Sequence, residues 1–293
     1  MATLERGEMF APEVVEDLLN KVAGKSSIAK LANQMPLAFN GNDIFTFAMD
    51  NEVDIVAESG AKSHGGVTVE PVHVVPLKIE YGARVSDEFI YGAEEKKLDI
   101  LKAFNDGFAK KAARGLDIMA MHGLNPRTNT ASTIIGTNHF DNGVTAITWD
   151  ATDPDGNIED AIAAVADYAN VNGIAMAKAM SSALAQLTVN GVKQYPQLAW
   201  GANPGIINGC PVDVNSTVSV VATGGTADKA ILGDFEYFRW GIAKQIPLEV
   251  IEYGNPDNDA TAGDLKGHNQ VYLRCELYIG WAILDKAAFA VVR

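Results

Sequence analysis

The sequence holds little cysteine, and the little it holds is spread out. Cys210 lies in a Gly-Cys-Pro turn and Cys275 in an alternating apolar run, and there are no others. Two such residues cannot staple a fold, and no Cys-x-x-Cys or Cys/His zinc spacing exists. Reduced, structural cysteines of a cytoplasmic product are the expectation. Histidine is scarce too: His64, His73, His122, His139 and His268. No two are four residues apart, and none has a Glu or Cys at ligand spacing, so no metal site is expected. Basic residues are in deficit, with 23 Lys and Arg against 37 Asp and Glu and a net charge of −14. Binding DNA through a basic face means neutralising phosphates with Lys and Arg, which this balance argues against. An acidic wall that encloses DNA without gripping it remains compatible, as does plain solubility. No run approaches the roughly 20 apolar residues of a transmembrane helix. Residues 1–10 carry Glu5 and Glu8 and no apolar core, so no secretory signal is expected.

Enzyme motifs are missing as well. Gly24-Lys25-Ser26 looks like the end of a phosphate loop, but Leu19 stands where the loop's first glycine belongs. Asp153-Pro154-Asp155-Gly156-Asn157 looks like a calcium loop, but Ala151 and Ile162 would occupy its first and twelfth positions, which need oxygen ligands. That segment reads instead as an acidic turn capping a helix. No Gly-x-Ser-x-Gly elbow is present, and the carboxylates are scattered. No catalytic residue, cofactor or metal is expected.

What is present is an ordinary globular composition, 47% hydrophobic and 20% charged over 293 residues. That length suits one large domain or two modest ones. Residues 11–23 predict a short amphipathic helix with Val14, Val15, Leu18, Leu19 and Val22 at three- and four-residue steps. Strand composition follows at 44–47, 53–56, 67–69, 72–79 and 83–85, interrupted by a polar, Gly-rich turn at 57–66. Together these predict a long two-stranded excursion with a soft tip, which is marginal in water unless something covers it. Residues 94–121 predict the longest helix, with Leu98, Leu101, Phe104, Phe108, Ala112, Leu116 and Met119 on one face and a stop at His122-Gly123. Further helices are predicted at 157–171 and 175–187, the latter entered from a strand. An extended piece is predicted from 209 to 221 and strands at 229–232, 237–243 and 247–252. A loop follows at 253–269, then a half-buried strand from Val271 to Ile279 and a last strand at 287–292. The fold class is α+β.

Three stretches carry a resemblance. The first is Val56-Ala57-Glu58-Ser59-Gly60, then Val74-Val75-Pro76-Leu77-Lys78 and Ala83-Arg84-Val85-Ser86-Asp87-Glu88-Phe89. The second is Gly209-Cys210-Pro211-Val212-Asp213-Val214. The third is Leu232-Gly233-Asp234-Phe235-Glu236-Tyr237, then residues 271–281 and Ala287-Ala288-Phe289. Each alone is weakly specific, but in this order, from about Met35 onward, they resemble the major capsid proteins of tailed bacteriophages with the HK97-type fold. The resemblance implies an N-terminal arm (1–43), an extended β-hairpin loop (44–84), a peripheral domain built on the long spine helix (85–125 and 238–282), and an axial domain (126–237 and 283–293). It implies a subunit that self-assembles into hexamers and pentamers of an icosahedral head around double-stranded DNA, with the extended loop lying on a neighbour. An encapsulin-type nanocompartment shell is the alternative. The implied partners are further copies of itself, a separate scaffolding protein, a portal and an optional decoration protein. The packaged DNA is held without specific binding and no membrane is involved. The implied place is the virion, assembled in the host cytoplasm. Some members crosslink a loop lysine to a neighbour's asparagine. Lys62 sits at the tip, with Asn255 or Asn258 as its counterpart, but no motif fixes that asparagine and no crosslink is expected. Only about 35 residues precede the first matching stretch, so scaffolding is expected to be a separate protein, or this is the mature form. The expected inter-subunit contacts are Glu58, Lys62 and His64 at the loop tip, with Val14, Leu18 and Leu19 as the apolar face of the arm.

Overall fold

The structure, a computed structural model, describes residues 25–49, 53–88 and 94–293. The helix expected at 11–23, with Val14, Leu18 and Leu19, lies outside them. Described structure opens with a one-turn helix, α1 (Ser27–Leu31). Strands β1 (Asn33–Gln34), β2 (Asn42–Met49), β3 (Val67–Val74) and β4 (Leu77–Ser86) follow. Pro76 separates the last two, because it cannot donate to a ladder. Residues 53–56 form no strand, although their composition favoured one. They are a solvent-exposed loop, and among the described residues no strand pairs with them.

The long helix, α2 (Glu94–His122), runs for 29 residues, roughly 43 Å at 1.5 Å per residue. Its C-terminal half is buried through Phe108, Ala112, Leu116 and Met119, as their spacing predicts. It stops at Gly123, whose φ of +66° suits a residue without a side chain. A Cβ there would sit 2.5 Å from the His139 ring. The short strands β5 (Leu124–Asn125), β6 (Thr130–Ala131) and β7 (Thr145–Ile147) lead to helix α3 (Pro154–Val165). Asp153 caps this helix by accepting from Gly156 N, so the acidic turn is a cap and no calcium loop. The helix starts three residues earlier than predicted because Pro154 fits a first turn.

Strand β8 (Gly173–Met176) runs into helix α4 (Lys178–Gln186), followed by the hairpin β9 (Thr188–Val189) and β10 (Val192–Lys193). Then come β11 (Ile206–Ile207), β12 (Cys210–Val214) and β13 (Ala230–Gly233). The extended piece ends at Val214, short of the predicted 221. Last come β14 (Phe238–Ile251), β15 (Gln270–Ile283) and β16 (Phe289–Val292). The two strands predicted at 237–243 and 247–252 are one strand, β14, whose register against β15 slips between Ile242 and Lys244 and between Ile246 and Glu249. Pro247 lies inside the second slip, where no ladder bond is required of it.

Two sheets organise these elements. One has the order β1-β14-β15-β4, the other β11-β12-β8-β13-β16-β7. In β15, Leu273, Cys275, Leu277, Ile279 and Trp281 are buried in the same core as the inner face of α2. On the opposite face, Glu276 is buried yet paired, with Lys78 Nζ at 2.8 Å. The six-stranded sheet packs α3 and α4 on one face through Ile174, Met176, Leu232 and Val292. Its other face gives Ala175, Ile231, Phe289 and Val291 to the core shared with α2 and β15. Phe140, Phe235, Phe238 and Phe289 fill the junction with ring centroids 4.8–6.4 Å apart, a spacing that adds edge-to-face attraction to burial. One continuous core therefore joins the sheets.

Gly233 makes that junction tight. Its φ is +154°, and a Cβ would meet the Ala288 carbonyl oxygen at 2.2 Å. Gly233→Ala is expected to cost about 2 kcal/mol or more, because backbone and not a flexible side chain blocks the methyl group. A denaturant midpoint unchanged from the parent chain would refute this.

Candidate assembly interface

Strands β2 and β3 form an isolated antiparallel ribbon, paired from Asn42 opposite Val74 to Met49 opposite Val67. Side chains alternate across a strand, so Phe45, Phe47 and Met49 share one face with Pro71, Val69 and Val67. That face is bare: Phe45 is 59% exposed, Phe47 71% and Met49 79%. The root of the ribbon is anchored. Val74, Leu37 and Ala282 are buried together, with Ile44 and Val72 packed on them. Phe39 stacks edge-on to Tyr278 at 4.9 Å, and Asp43 pairs with His73 across the strands. Gly41, at φ +90°, lets the chain enter the ribbon, since a Cβ would sit 2.7 Å from the Val74 carbonyl oxygen.

Glu58, Lys62 and His64 all lie in the exposed tip between the two strands. The tip turns at Ser59, in the left-handed region at φ +62°, with Gly60 N donating to Ala57 O at 2.9 Å. The structure thus places the three predicted contact residues on one projecting loop. Sequence reasoning missed the apolar face behind them. Its signal was present, a strict alternation of Phe45, Phe47 and Met49 with Ile44, Thr46 and Ala48.

Two other regions look outward. At the far end of the six-stranded sheet, Trp200 is fully exposed beside the β9–β10 hairpin, whose paired Val189 and Val192 are exposed, as is Ile206 in β11. At the tip of the β14–β15 hairpin, Arg84 gathers the 253–269 loop. It donates to Asp257 at 2.5 and 2.8 Å, Asn255 at 2.7 Å and the Gly263 carbonyl at 2.9 Å. The guanidinium holds the Asp257 carboxyl down at about 2. Asn255, a candidate crosslink partner, is thus engaged with Arg84.

The point where residues 25–34 join the body is polar and buried. Asp117, in α2, accepts from Ser26 Oγ at 2.5 Å, Thr217 Oγ1 at 2.8 Å, and the Ser27 and Ile28 amides at 3.1 and 3.2 Å. Burial pushes its carboxyl up in pKa while these donors pull it back. Asp213 holds Ser27 Oγ and Lys30 Nζ, each at 2.5 Å. Burial raises its carboxyl too, but the bonds from Lys30, Ser27 and Asn203 outweigh that and leave it below the usual range. The one-turn helix α1 is therefore clamped from two sides.

A folded chain that leaves an aromatic ribbon face and an exposed tryptophan uncovered is built to meet other protein. A model of the Phage capsid family matches residues 7–293. The chain belongs to the phage capsid family. A solved structure from Mycobacterium phage Ogopogo is 31% identical over 92% of each chain, with a TM-score of 0.78. One from Gordonia phage Cozz is 26% identical over 92% of this chain and 86% of that one, at 0.76. The capsid of an empty GTA particle shares the fold at 14% identity, over 92% and 96% of the chains, at 0.63. No curated protein matches the chain. This phage capsid protein is a structural shell subunit of a phage head and a component of the virion, with the mixed helix and sheet fold of those capsid structures. The nanocompartment reading is not favoured. Among the described residues no helix is long and apolar enough to cross a membrane.

Proposed function

We propose that this phage capsid protein forms hexamers and pentamers of an icosahedral head around double-stranded DNA, with the loop of residues 44–84 lying across an adjacent subunit. The uncovered apolar face of the β2–β3 ribbon carries the proposal, since an isolated two-stranded ribbon gains stability only from a covering surface. Residues 1–43 act as an arm on a neighbour through Val14, Leu18 and Leu19. Residues 85–125 and 238–282 form the peripheral domain, and 126–237 with 283–293 the axial domain around which capsomers close. Glu58, Lys62 and His64 make polar contacts at the loop tip. Each subunit then meets several neighbours at once, and multivalent contact raises affinity without any single strong bond. The net charge of −14 suits a wall that does not grip its DNA. Assembly takes place in the host cytoplasm with a separate scaffolding protein and a portal, and a decoration protein is an optional addition. The subunit performs no catalysis.

Negative-stain electron microscopy with size-exclusion chromatography tests the proposal. Closed shells, rings or tubes are expected from the recombinant protein, with scaffolding protein supplied where needed. A monomer at high concentration under both conditions would overturn it. Charge reversal at Glu58 and Lys62 together is expected to reduce particle yield while leaving the thermal melt of the subunit unchanged. Normal particles from that double variant would remove the tip from the contact set.

A further inference from the structure

Four side chains distant in sequence converge where α2 ends. His122 is the last residue of that helix. Asp141 is held beside it, because the amides of Phe140 and Asp141 donate to the carbonyls of Ala120 and Met121, each at 3.0 Å. Asp228 precedes Lys229, whose amide donates to Val292 O at 2.7 Å, and Arg293 donates its own amide to Ile147 O at 2.9 Å. Backbone bonds therefore fix all four positions before any side chain interacts.

The side chains then face one another in a particular way. His122 Nε2 is 3.0 Å from the Thr217 carbonyl oxygen, which can only accept, so Nε2 carries the hydrogen. Burial lowers the pKa of the ring, but Asp141 and Asp228 raise it above its ordinary value through the other nitrogen, Nδ1. Nδ1 points at Asp141 Oδ2, 2.9 Å away, and at Asp228 Oδ2, 3.7 Å away. Arg293 reaches the other oxygens, with Nη2 2.9 Å from Asp141 Oδ1 and Nε 3.2 Å from Asp228 Oδ1. The latter approach misses hydrogen-bond geometry. Both oxygens of Asp228 accept no hydrogen bond, although the residue is only 1% exposed. One guanidinium offsets one of two carboxylates. The second, Asp228, is buried with no hydrogen bond to either oxygen; burial and the neighbouring Asp141 push its carboxyl up to about 8, and a cation among these three groups takes the place of a proton.

We propose that His122, Asp141 and Asp228 bind one divalent metal cation of the zinc or manganese class. Their ligand atoms all lie within 4.8 Å of one another. Metal–ligand bonds of about 2.0–2.2 Å place donors roughly 3–3.5 Å apart, so the two His122 separations bracket the required spacing. One imidazole nitrogen with two carboxylate oxygens suits these ions better than calcium, which takes six to eight oxygens. The Thr217 carbonyl orients the imidazole as an outer partner, a common support for a ligating histidine. Asp141 and Arg293 are partly exposed and give a route in. The ion ties the end of α2, the segment before β13 and Arg293 into one knot.

The test is metal content and thermal melting of the folded subunit. Chelator-stripped protein is dialysed against micromolar zinc or manganese chloride and measured by elemental mass spectrometry. About one metal per chain is expected, with a melting temperature several degrees above the stripped form. Asp228→Asn should abolish both. Because that site is buried, Asp141→Asn, at a more open position, provides the same readout if the first variant misfolds. Two results would overturn the proposal: no uptake by the parent protein, or equal uptake by the variants. A melt that responds to pH near neutrality but not to metal would also overturn it, and would assign a shared proton to the cluster. The readout does not involve particles, so its failure leaves the shell function untouched.

Discussion

A subunit carrying Phe45→Asp and Phe47→Asp should fold normally and fail to build shells. Both rings stand mostly in water on the ribbon face, so replacing them removes little from the subunit's own core. Surface changes of that kind usually shift stability by no more than about 0.5 kcal/mol. In the assembled state the balance reverses. Burying a phenylalanine side chain is worth about 1.5–3 kcal/mol, and each variant contact also buries two carboxylates without partners, which costs far more than the lost rings. The defect recurs at every copy of the contact, so it multiplies across the particle. Size-exclusion chromatography should show a clean small species with parental circular dichroism, and microscopy should show no closed particles. Normal shells from this variant would mean the ribbon face is not an interface.

The second large effect belongs to Asp117. Removing its carboxylate by Asp117→Ala leaves the Ser26 and Thr217 hydroxyls and the Ser27 and Ile28 amides without their acceptor in a fully buried place. Each buried neutral group left without its acceptor costs about 1–3 kcal/mol. The melting temperature should fall on the order of 10 °C. Asp117→Asn, which keeps one acceptor oxygen, should fall by clearly less. Equal melting of the alanine variant and the parent protein would show that the clamp on α1 contributes nothing to stability.

The sequence made the regular, half-buried elements legible. Along the middle of helix α2 and the first half of strand β15 one face is more buried than the other, so their periods of 3.6 and 2 are written in the residues. The ribbon was legible as strands, and its tip as a turn. What escaped depends on contacts distant in sequence. The residues 53–56 have strand composition, but a strand needs a neighbour to pair with, and composition does not say whether one exists. Strand β14 reads as two because its slips interrupt the alternation. Asp117 looks like any acid in an amphipathic helix, and its five donors come from residues 26–28, 215 and 217. His122, Asp141 and Asp228 are separated by 19 and then 87 positions, so no spacing rule brings them together. The apolar ribbon face escaped for another reason. A strand with Phe at alternate positions predicts a buried face, and nothing in one chain says that the burial comes from a second.

The place of β16 in the six-stranded sheet has a bearing on when this molecule becomes competent. Phe289–Val292 lies between β13 and β7, pairing with both, and among the described residues β7 has no other strand to hold it. During synthesis, at about 5–20 residues per second, residues 145–147 therefore wait for residues 289–292 before their sheet can close. Nascent chains on a crowded polysome thus present an unfinished sheet. Any contact that needs the closed sheet is unavailable until residues 289–292 have joined it.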